Sequence, residues 1–165
     1  MRKSAAAFGS LVFFVIAPGI VAGVLPWYLT EGWSPNDSRD GAMLTITGVT
    51  LVVAGSLALI GTFALYVWEG SGTPAPVAPT EELVVRGLNR YVRNPMYLAV
   101  VTVIVGQALI LDQPGLLVYA AVAWATMAAF AHWYEEPHLR GQFGQQYEAY
   151  CESVPAWIPH RTRRR

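Results

Sequence analysis

Residues 41–68 read GAMLTITGVTLVVAGSLALIGTFALYVW, a stretch without a single Asp, Glu, Lys or Arg. An α-helix rises about 1.5 Å per residue, so roughly 20 apolar residues cross a hydrocarbon core about 30 Å thick. The chain as a whole has the same character, because 54% of its 165 residues are hydrophobic and only 13% are charged, which is unusual for a soluble domain. The sequence therefore predicts an integral membrane protein.

Three further apolar runs accompany this stretch, at residues 4–30, 95–111 and 116–131. The first is longer than the core of a signal peptide and no clear Ala-x-Ala site follows it, so we expect a retained helix. The last two are separated by a short polar turn that begins at Asp112. The prediction is an all-α integral membrane fold of about four transmembrane helices, in which helices three and four form a hairpin.

The segments predicted from these runs make up a single membrane domain over residues 1–165. Residues 1–68 hold the first two transmembrane helices, 69–94 a cytoplasmic connector, 95–136 the hairpin, and 137–165 an interfacial amphipathic helix with a basic tail. The amphipathic helix is predicted because Leu139, Phe143, Tyr147 and Tyr150 recur at helical spacing. The connector begins with a segment rich in Gly and Pro, which favours an extended chain.

The charges suggest how the helices are oriented. If all four runs cross the bilayer, ten of the eleven Lys and Arg lie on the side of the two termini, and Arg39 is the exception. The positive-inside rule then makes this a multi-pass protein with cytoplasmic N- and C-termini. The lack of a eukaryotic retention signal and the short chain favour a prokaryotic inner membrane. The formal net charge of zero predicts no binding to nucleic acid.

Gly19 and Gly23 form a Gly-x-x-x-Gly step in the first predicted helix. Such a step lets a second helix approach closely, as in many membrane dimers. Internal packing, or bending next to Pro18, explains the same spacing. A homodimer is therefore one of several outcomes that this pattern allows.

Residues 81–97 are the first candidate site, because polar groups are dense where the third apolar run begins. Asn94 precedes Pro95, and a proline in a first helical turn leaves nearby backbone N–H groups free to bind an anion. The alternative is a helix cap whose arginines contact lipid phosphates.

Residues 132–138 are the second candidate site. They place Glu135 and Glu136 beside aromatic rings at the end of the fourth apolar run. Two carboxylates at such a boundary suit a cationic or polyhydroxylated ligand. The alternative is an acidic first helical turn that is favoured by the helix dipole, with Pro137 at its start.

Several classes of site are disfavoured. The three histidines lack a helical metal-ligand pairing, so no metal site is predicted. No Ser or Cys lies in an activation motif, which disfavours a hydrolase. The single cysteine, Cys151, excludes an internal disulfide, and in the sequence it lies in a polar tail away from the other candidates.

The two candidate sites also carry a resemblance to a known family. Gly87 to Tyr97, with Arg93-Asn94-Pro95-Met96-Tyr97, resembles the Arg-His/Asn-Pro-x-Tyr signature of membrane isoprenylcysteine carboxyl methyltransferases. The C-terminal half is similar too, in Glu135-Glu136-x-x-Leu139, Phe143-Gly144-x-x-Tyr147-x-x-Tyr150 and Val154-Pro155-x-Trp157-x-Pro159. Phospholipid N-methyltransferases share this pattern. The three motifs occur in the same order as in the family and cover nearly half of the chain.

This resemblance implies an S-adenosylmethionine-dependent methyltransferase that acts on a lipophilic acceptor in the membrane by direct methyl transfer. By position, it implies that the cofactor is bound by Glu82, Leu83, Val84, Gly87, Asn89, Arg93, Asn94, Pro95, Met96, Tyr97, Glu135 and Glu136. If the acceptor is an amine, a base must take its proton. Glu135, Glu136 and His132 are the candidates for that role, and the spacing does not choose among them.

The chain departs from the family pattern at three places. Asn89 stands where tyrosine is common, and Asn94 where the eukaryotic prenylcysteine enzymes have histidine. Before the Glu pair those enzymes have an arginine, whereas this chain offers only His132. These departures disfavour a prenylcysteine substrate. Two other functions stay open: a membrane protein that binds adenosylmethionine or lipid without catalysis, and a structural helical subunit.

Overall fold

The computed structural model describes residues 16–36, 41–69 and 83–159, and within these ranges every regular element is helical. The predicted all-helical class is therefore confirmed for this part of the chain. The helices are α1 (Ile16–Leu29), α2 (Ala42–Glu69), α3 (Pro95–Leu111), α4 (Pro114–Phe130), α5 (Glu136–Phe143) and α6 (Gln145–Ser153), with a 3-10 turn at Gly87–Arg90. Two wider π-helical segments occur, Ile20–Val24 within α1 and Ala131–Glu135 between α4 and α5.

In the part of the chain that the structure describes, two helical stretches are long and apolar enough to cross a membrane. These are Ala42–Tyr66 in α2, with a mean hydropathy of 2.1, and Pro114–Phe143, which runs from α4 through α5 with a mean hydropathy of 1.6. The described part of the apolar helix α1 and the apolar helix α3 are shorter, and the 17 residues of α3 reach only about 25 Å. The structure thus supports a membrane protein, while the crossing of all four helices, the hairpin and the orientation stay predictions.

The helix boundaries largely follow the predicted runs. α3 coincides with the third run, and its last turn ends at Asp112, which adopts the left-handed conformation at a φ of 51°. Glu69, which was assigned to the connector, belongs instead to α2. The prediction of a single amphipathic helix after Pro137 is wrong in one respect. Gly144, at a φ of 52°, divides this segment into the two helices α5 and α6. Glycine adopts this backbone conformation without steric strain, because it has no Cβ.

The most extensive contact is that between α2 and α3, and it depends on glycines. A Cβ added at Gly48 of α2 would lie 2.6 Å from the carbonyl oxygen of Gly106 in α3, and one added at Gly55 would lie 2.9 Å from the carbonyl oxygen of Ala99. The two backbones therefore touch directly. Close approach of this kind is how helices associate in a bilayer, where apolar burial alone gives little driving force.

The Gly-x-x-x-Gly step of α1 is not part of this packing. A Cβ at Gly19 or at Gly23 would meet no atom within 4 Å among the described residues. Internal packing is therefore not the role of these two glycines in the part of the chain that the structure describes. The homodimer stays a prediction.

Side-chain hydrogen bonds from α3 and α4 bind α1 at the point where its backbone hydrogen bonding is interrupted. Pro26 has no backbone N–H. The carbonyl of Ala22, four residues earlier, and that of Val21, five residues earlier, therefore each lack a donor that another residue at position 26 would offer. The hydroxyl of Tyr119 in α4 donates to the Val21 carbonyl at 2.7 Å, and Nε2 of Gln107 in α3 donates to the Ala22 carbonyl at 2.7 Å. An unpaired carbonyl in hydrocarbon costs several kcal/mol, so these two side chains complete α1.

We expect Gly48→Ala to destabilise the protein by about 1–3 kcal/mol, because its Cβ would overlap the α3 backbone. Gly61→Ala in the same helix is the matched control, since its Cβ would meet nothing within 4 Å. This control should be neutral or slightly stabilising, because alanine is the better helix former. Thermal unfolding in mild detergent, followed by circular dichroism, measures both. Equal midpoints for the two variants would contradict the backbone contact.

Candidate functional site

The two candidate segments meet where α3 begins and α4 ends. Tyr97 lies in the first turn of α3, and Glu135 is the last residue of the π segment between α4 and α5. The hydroxyl of Tyr97 donates to Oε1 of Glu135 at 2.6 Å. This length is typical of a hydroxyl bound to an ionised carboxylate. Residues that are 38 positions apart in the sequence thus form one partly buried pair.

Glu136, the next residue, has different neighbours. Its Oε1 lies 3.3 Å from Nη1 of Arg93, while its Oε2 lies 3.4 Å from Nη2 of Arg140 and 3.8 Å from Nδ1 of His132. The side chains of Glu136 and Arg93 are only 14% and 15% exposed, so this ion pair is largely shielded from solvent. The two adjacent carboxylates therefore face different surroundings.

His132 is at the surface, with 71% of its side chain exposed. Its ring contacts that of Trp133, and its Nδ1 faces Glu136. The structure does not bring His132 to the Tyr97–Glu135 pair. Its predicted role as a base thus lacks support from this geometry.

A C-terminal strap, residues 154–158, lies across the start of α3. The backbone N–H of Arg93 donates to the carbonyl of Pro155 at 2.9 Å, and that of Asn94 donates to the carbonyl of Ala156 at 3.3 Å. The side-chain amide of Asn94 donates to Ala156 as well, at 3.2 Å. The strap therefore uses the backbone N–H groups of the two residues that precede α3, and the binding of an anion by N–H groups of its first turn stays a prediction.

Trp157 places the strap beside the Tyr97–Glu135 pair. Its ring stacks on that of Tyr97 at 6.3 Å between centroids and meets the ring of Trp124 edge-on at 5.8 Å. The Trp157 ring thus contacts both α3, through Tyr97, and α4, through Trp124. From the sequence, Trp157 was recognised only as part of a family motif.

Cys151 belongs to the same region. Nη1 of Arg93 lies 2.6 Å from its Sγ, in addition to its contact with Glu136. The expectation that Cys151 lies away from the candidate residues is therefore wrong. Sequence separation concealed the contact, because α6 folds back onto the segment that precedes α3.

Asn89 joins three parts of the site and is only 1% exposed. Its Nδ2 donates to the carbonyl of Val84 at 3.1 Å and to the hydroxyl of Tyr66 at 3.3 Å, and its own carbonyl accepts from the hydroxyl of Tyr150 at 2.7 Å. Burial raises the pKa of Tyr150 above its ordinary value, so the phenol stays a proton donor at neutral pH. The connector, α2 and α6 are thus tied together at one residue.

Tyr66 links this junction to the carboxylates. It receives the Asn89 hydrogen bond and lies close enough to Glu135 and Tyr97 to interact electrostatically with both. Sequence reasoning missed Tyr66, since a tyrosine at the end of an apolar run is typical of a membrane interface.

The remaining predicted cofactor residues surround the same region. Leu83 packs on the cluster that contains Tyr147, Tyr150 and Val154, and Val84 is buried. Gly87 adopts a φ of 57°, with its backbone close to Leu65 of α2. Pro95 and Met96 form the first turn of α3, whereas Glu82 lies outside the described residues.

An apolar cavity of about 280 Å³ opens beside Tyr97, between α1, α3 and α4. Its size is near the lower end of known ligand pockets. Tyr97 is therefore shared between the cavity and the Glu135 pair. The cavity is lined by Ala17, Pro18, Val21, Met96, Tyr97, Val100, Thr126, Met127 and Phe130, none of which carries a charge.

Comparison with protein families identifies a family that this chain matches. The model of the phospholipid methyltransferase family matches residues 39–146. The chain belongs to this family. The matched region runs from just before α2 to the beginning of α6 and includes Tyr97, Glu135 and Glu136. Searches of curated proteins and of solved structures found no match.

This membership confirms the family suspected from the motifs, and it makes the protein a member of a family of membrane methyltransferases. Members of this family generally use S-adenosylmethionine. The described residues fit such a group. Asn89 Oδ1 and Arg93 Nε are buried without a hydrogen-bond partner in the described part of the chain. Glu135 supplies a negative charge that suits a sulfonium.

We expect Glu136→Gln to lower the stability of the native chain by about 1–3 kcal/mol, because it leaves the shielded guanidinium of Arg93 without its carboxylate. Glu148→Gln is the matched control, since Glu148 is 55% exposed and its ion pair with Arg140 is at the surface. That pair should contribute less than about 1 kcal/mol. Thermal unfolding in detergent distinguishes the two. A larger loss for Glu148→Gln would contradict the anchoring role of Glu136.

Proposed function

We propose that the protein transfers a methyl group from S-adenosylmethionine to a lipophilic acceptor held in the membrane. The observation that carries this proposal is the position of Tyr97, which lines the apolar cavity and donates to the Glu135 carboxylate. An apolar chain and a polar reacting group can therefore be bound side by side.

The cofactor would lie at the junction of the connector, α3 and the Glu pair. When bound, it supplies a methyl group that is already activated by a positively charged sulfur. Glu135 would attract the positive charges of the cofactor, on its sulfonium and on its amino-acid ammonium group, while Asn89 Oδ1 and Arg93 Nε offer an acceptor and a donor for polar groups of the ligand. The ion pair between Glu136 and Arg93 would hold this surface in shape.

The acceptor would place its hydrocarbon chain in the cavity and its headgroup next to Tyr97. An amine suits this position better than a carboxylate does. No cationic side chain of the described residues lines the cavity, and Arg93 and Arg140 are both engaged by Glu136. A carboxylate next to Glu135 would meet a like charge at short range, which is unfavourable where water is partly excluded. We therefore propose an amine-bearing lipid as the acceptor.

The transfer of the methyl group itself requires little further chemistry of the protein. Because the methyl group is activated beforehand, holding it in line with the acceptor nucleophile supplies much of the rate. The stacked rings of Tyr97 and Trp157 and the apolar cavity wall would keep water away from that position. Orientation and exclusion of water would thus be the main contributions of this chain.

Binding of S-adenosylhomocysteine to the purified protein tests the cofactor site. We expect the native chain to bind it with micromolar affinity in calorimetry, and Glu135→Gln combined with Glu136→Gln to abolish binding. The matched control is Glu152→Gln, which changes an exposed carboxylate of α6 and should bind normally. If well-folded native protein bound no S-adenosylhomocysteine in detergent or in lipid nanodiscs, the methyltransferase proposal would be wrong and a structural role in the membrane would be the remaining interpretation. If the protein bound S-adenosylhomocysteine but transferred no methyl group to any lipid, it would be a binding protein without catalytic activity.

Filling the cavity tests the acceptor site. Met127→Trp places a large ring against the cavity, and we expect it to raise the KM for a lipid acceptor at least tenfold without changing S-adenosylhomocysteine binding. Val122→Trp is the control, because Val122 lies on the same helix with 58% of its surface exposed and does not line the cavity. An unchanged KM in Met127→Trp would place the acceptor elsewhere.

A further inference from the structure

We propose that Glu135 takes up the proton that the amine acceptor must lose, through the hydroxyl of Tyr97, and that Glu136 acts only as a positioning residue. This inference rests on the proposed function. It assigns different roles to two adjacent carboxylates that the sequence leaves equivalent.

The surroundings of the two carboxylates carry the assignment. Glu136 meets the guanidinium groups of Arg93 and Arg140 at 3.3 and 3.4 Å. Protonation of Glu136 would break both contacts, which makes it a poor base. Glu135 accepts the Tyr97 hydroxyl at 2.6 Å, and no cationic side chain among the described residues bonds to it. Among the described residues, Glu135 is therefore the carboxylate of the pair that can accept a proton without losing an ion pair to a side chain.

Tyr97 connects this base to the acceptor. Its side chain lines the cavity, while its hydroxyl proton is directed at Oε1 of Glu135. The ring is held by stacking on Trp157, so the hydroxyl keeps its place when the cavity is filled. Since the cavity wall is almost wholly apolar, Tyr97 lines it with ring carbons, and its hydroxyl lies at the edge beside Glu135. An acceptor with its hydrocarbon chain in the cavity would thus place its amine at this edge, next to the oxygen of Tyr97 and, through it, the carboxylate.

The other titratable groups near Glu135 do not compete for this role. Tyr66 of α2 faces both Glu135 and Tyr97, but it does not line the cavity. His132, on the same helical stretch as Glu135, is exposed and faces Glu136. Within the described residues, only Tyr97 touches both the cavity and a carboxylate.

The proposed step is balanced. A lipid ammonium gives one proton to Oη of Tyr97 while Tyr97 gives its own proton to Oε1 of Glu135, which leaves a neutral amine, an unchanged tyrosine and a neutral carboxylic acid. The amine lone pair then forms the N–C bond as the C–S bond breaks and its electron pair stays on sulfur. Glu135 returns the proton to solvent after product release.

The test is the pH dependence of kcat/KM with phosphatidylethanolamine in mixed micelles. Near neutral pH, we expect Glu135→Gln and Tyr97→Phe to lower kcat/KM by about 10²–10⁴-fold, the usual contribution of general-base catalysis. Their activity should rise roughly tenfold for each pH unit toward the pKa of the amine, because the acceptor then arrives already deprotonated. The native chain should show a much flatter profile.

Two further variants separate the proton transfer from a structural effect. Glu136→Gln should lower kcat/KM by a factor that does not change with pH, since a positioning residue does not take up the proton. Glu152→Gln, the exposed control, should reproduce the native profile. Tyr97→Phe removes a single oxygen and keeps the ring that stacks on Trp157, so it carries the test even if Glu135→Gln fails to fold.

Calorimetry with S-adenosylhomocysteine gives a readout apart from activity, and Tyr97→Phe should bind it within about threefold of the native chain. A native-like pH profile for both Glu135→Gln and Tyr97→Phe would overturn the proton assignment while leaving the methyltransferase intact. If kcat/KM rose steeply with pH in Glu136→Gln but not in Glu135→Gln, Glu136 would be the base and Glu135 the positioning residue. Native protein that transfers no methyl group to any lipid amine would instead overturn the proposed function, and this inference with it.

Discussion

The backbone contact between α2 and α3 at Gly48 and Gly106 sets the position of everything else in the described structure. Only glycine allows the two helices to come this close, and their proximity aligns the end of α2 with the segment that leads into α3. Tyr66 can therefore accept the Asn89 hydrogen bond and lie near Tyr97. The candidate site is thus built on an apolar contact in which none of its own residues takes part.

A second constraint is that polar groups in hydrocarbon need partners within the protein. In α1 the missing N–H of Pro26 is compensated by Tyr119 and Gln107, which attach the helix to α4 and α3. The same attachment forms one wall of the cavity, because Val21 accepts the Tyr119 hydrogen bond and also lines the cavity. A local defect in one helix therefore shapes the space in which we propose the acceptor binds.

The Glu pair shows how helical geometry separates the roles of neighbouring residues. Successive residues point about 100° apart around a helix, so Glu135 and Glu136 cannot face the same partners. Glu136 shares a helix face with Arg140 at i+4, and the fold adds Arg93 on that side. Glu135 faces α3 instead and meets Tyr97. Two adjacent identical residues are thus given different surroundings, and this difference is the basis of the roles that we propose for them.

Local patterns in the sequence determined the helical membrane class, the bounds of α3, the family and the segments that form the site. These features depend on composition and on periodicity within a few helical turns, so they can be recognised without knowing how the helices pack. The tertiary structure alone decided that Gly48 and Gly106 rather than Gly19 and Gly23 touch another helix, and that the strap covers Asn94. It also decided that Cys151 meets Arg93, 58 positions away. Such contacts depend on the register between helices, which is set by side-chain volumes along whole interfaces and by how the chain folds back at Gly144, and no short stretch of sequence contains that information.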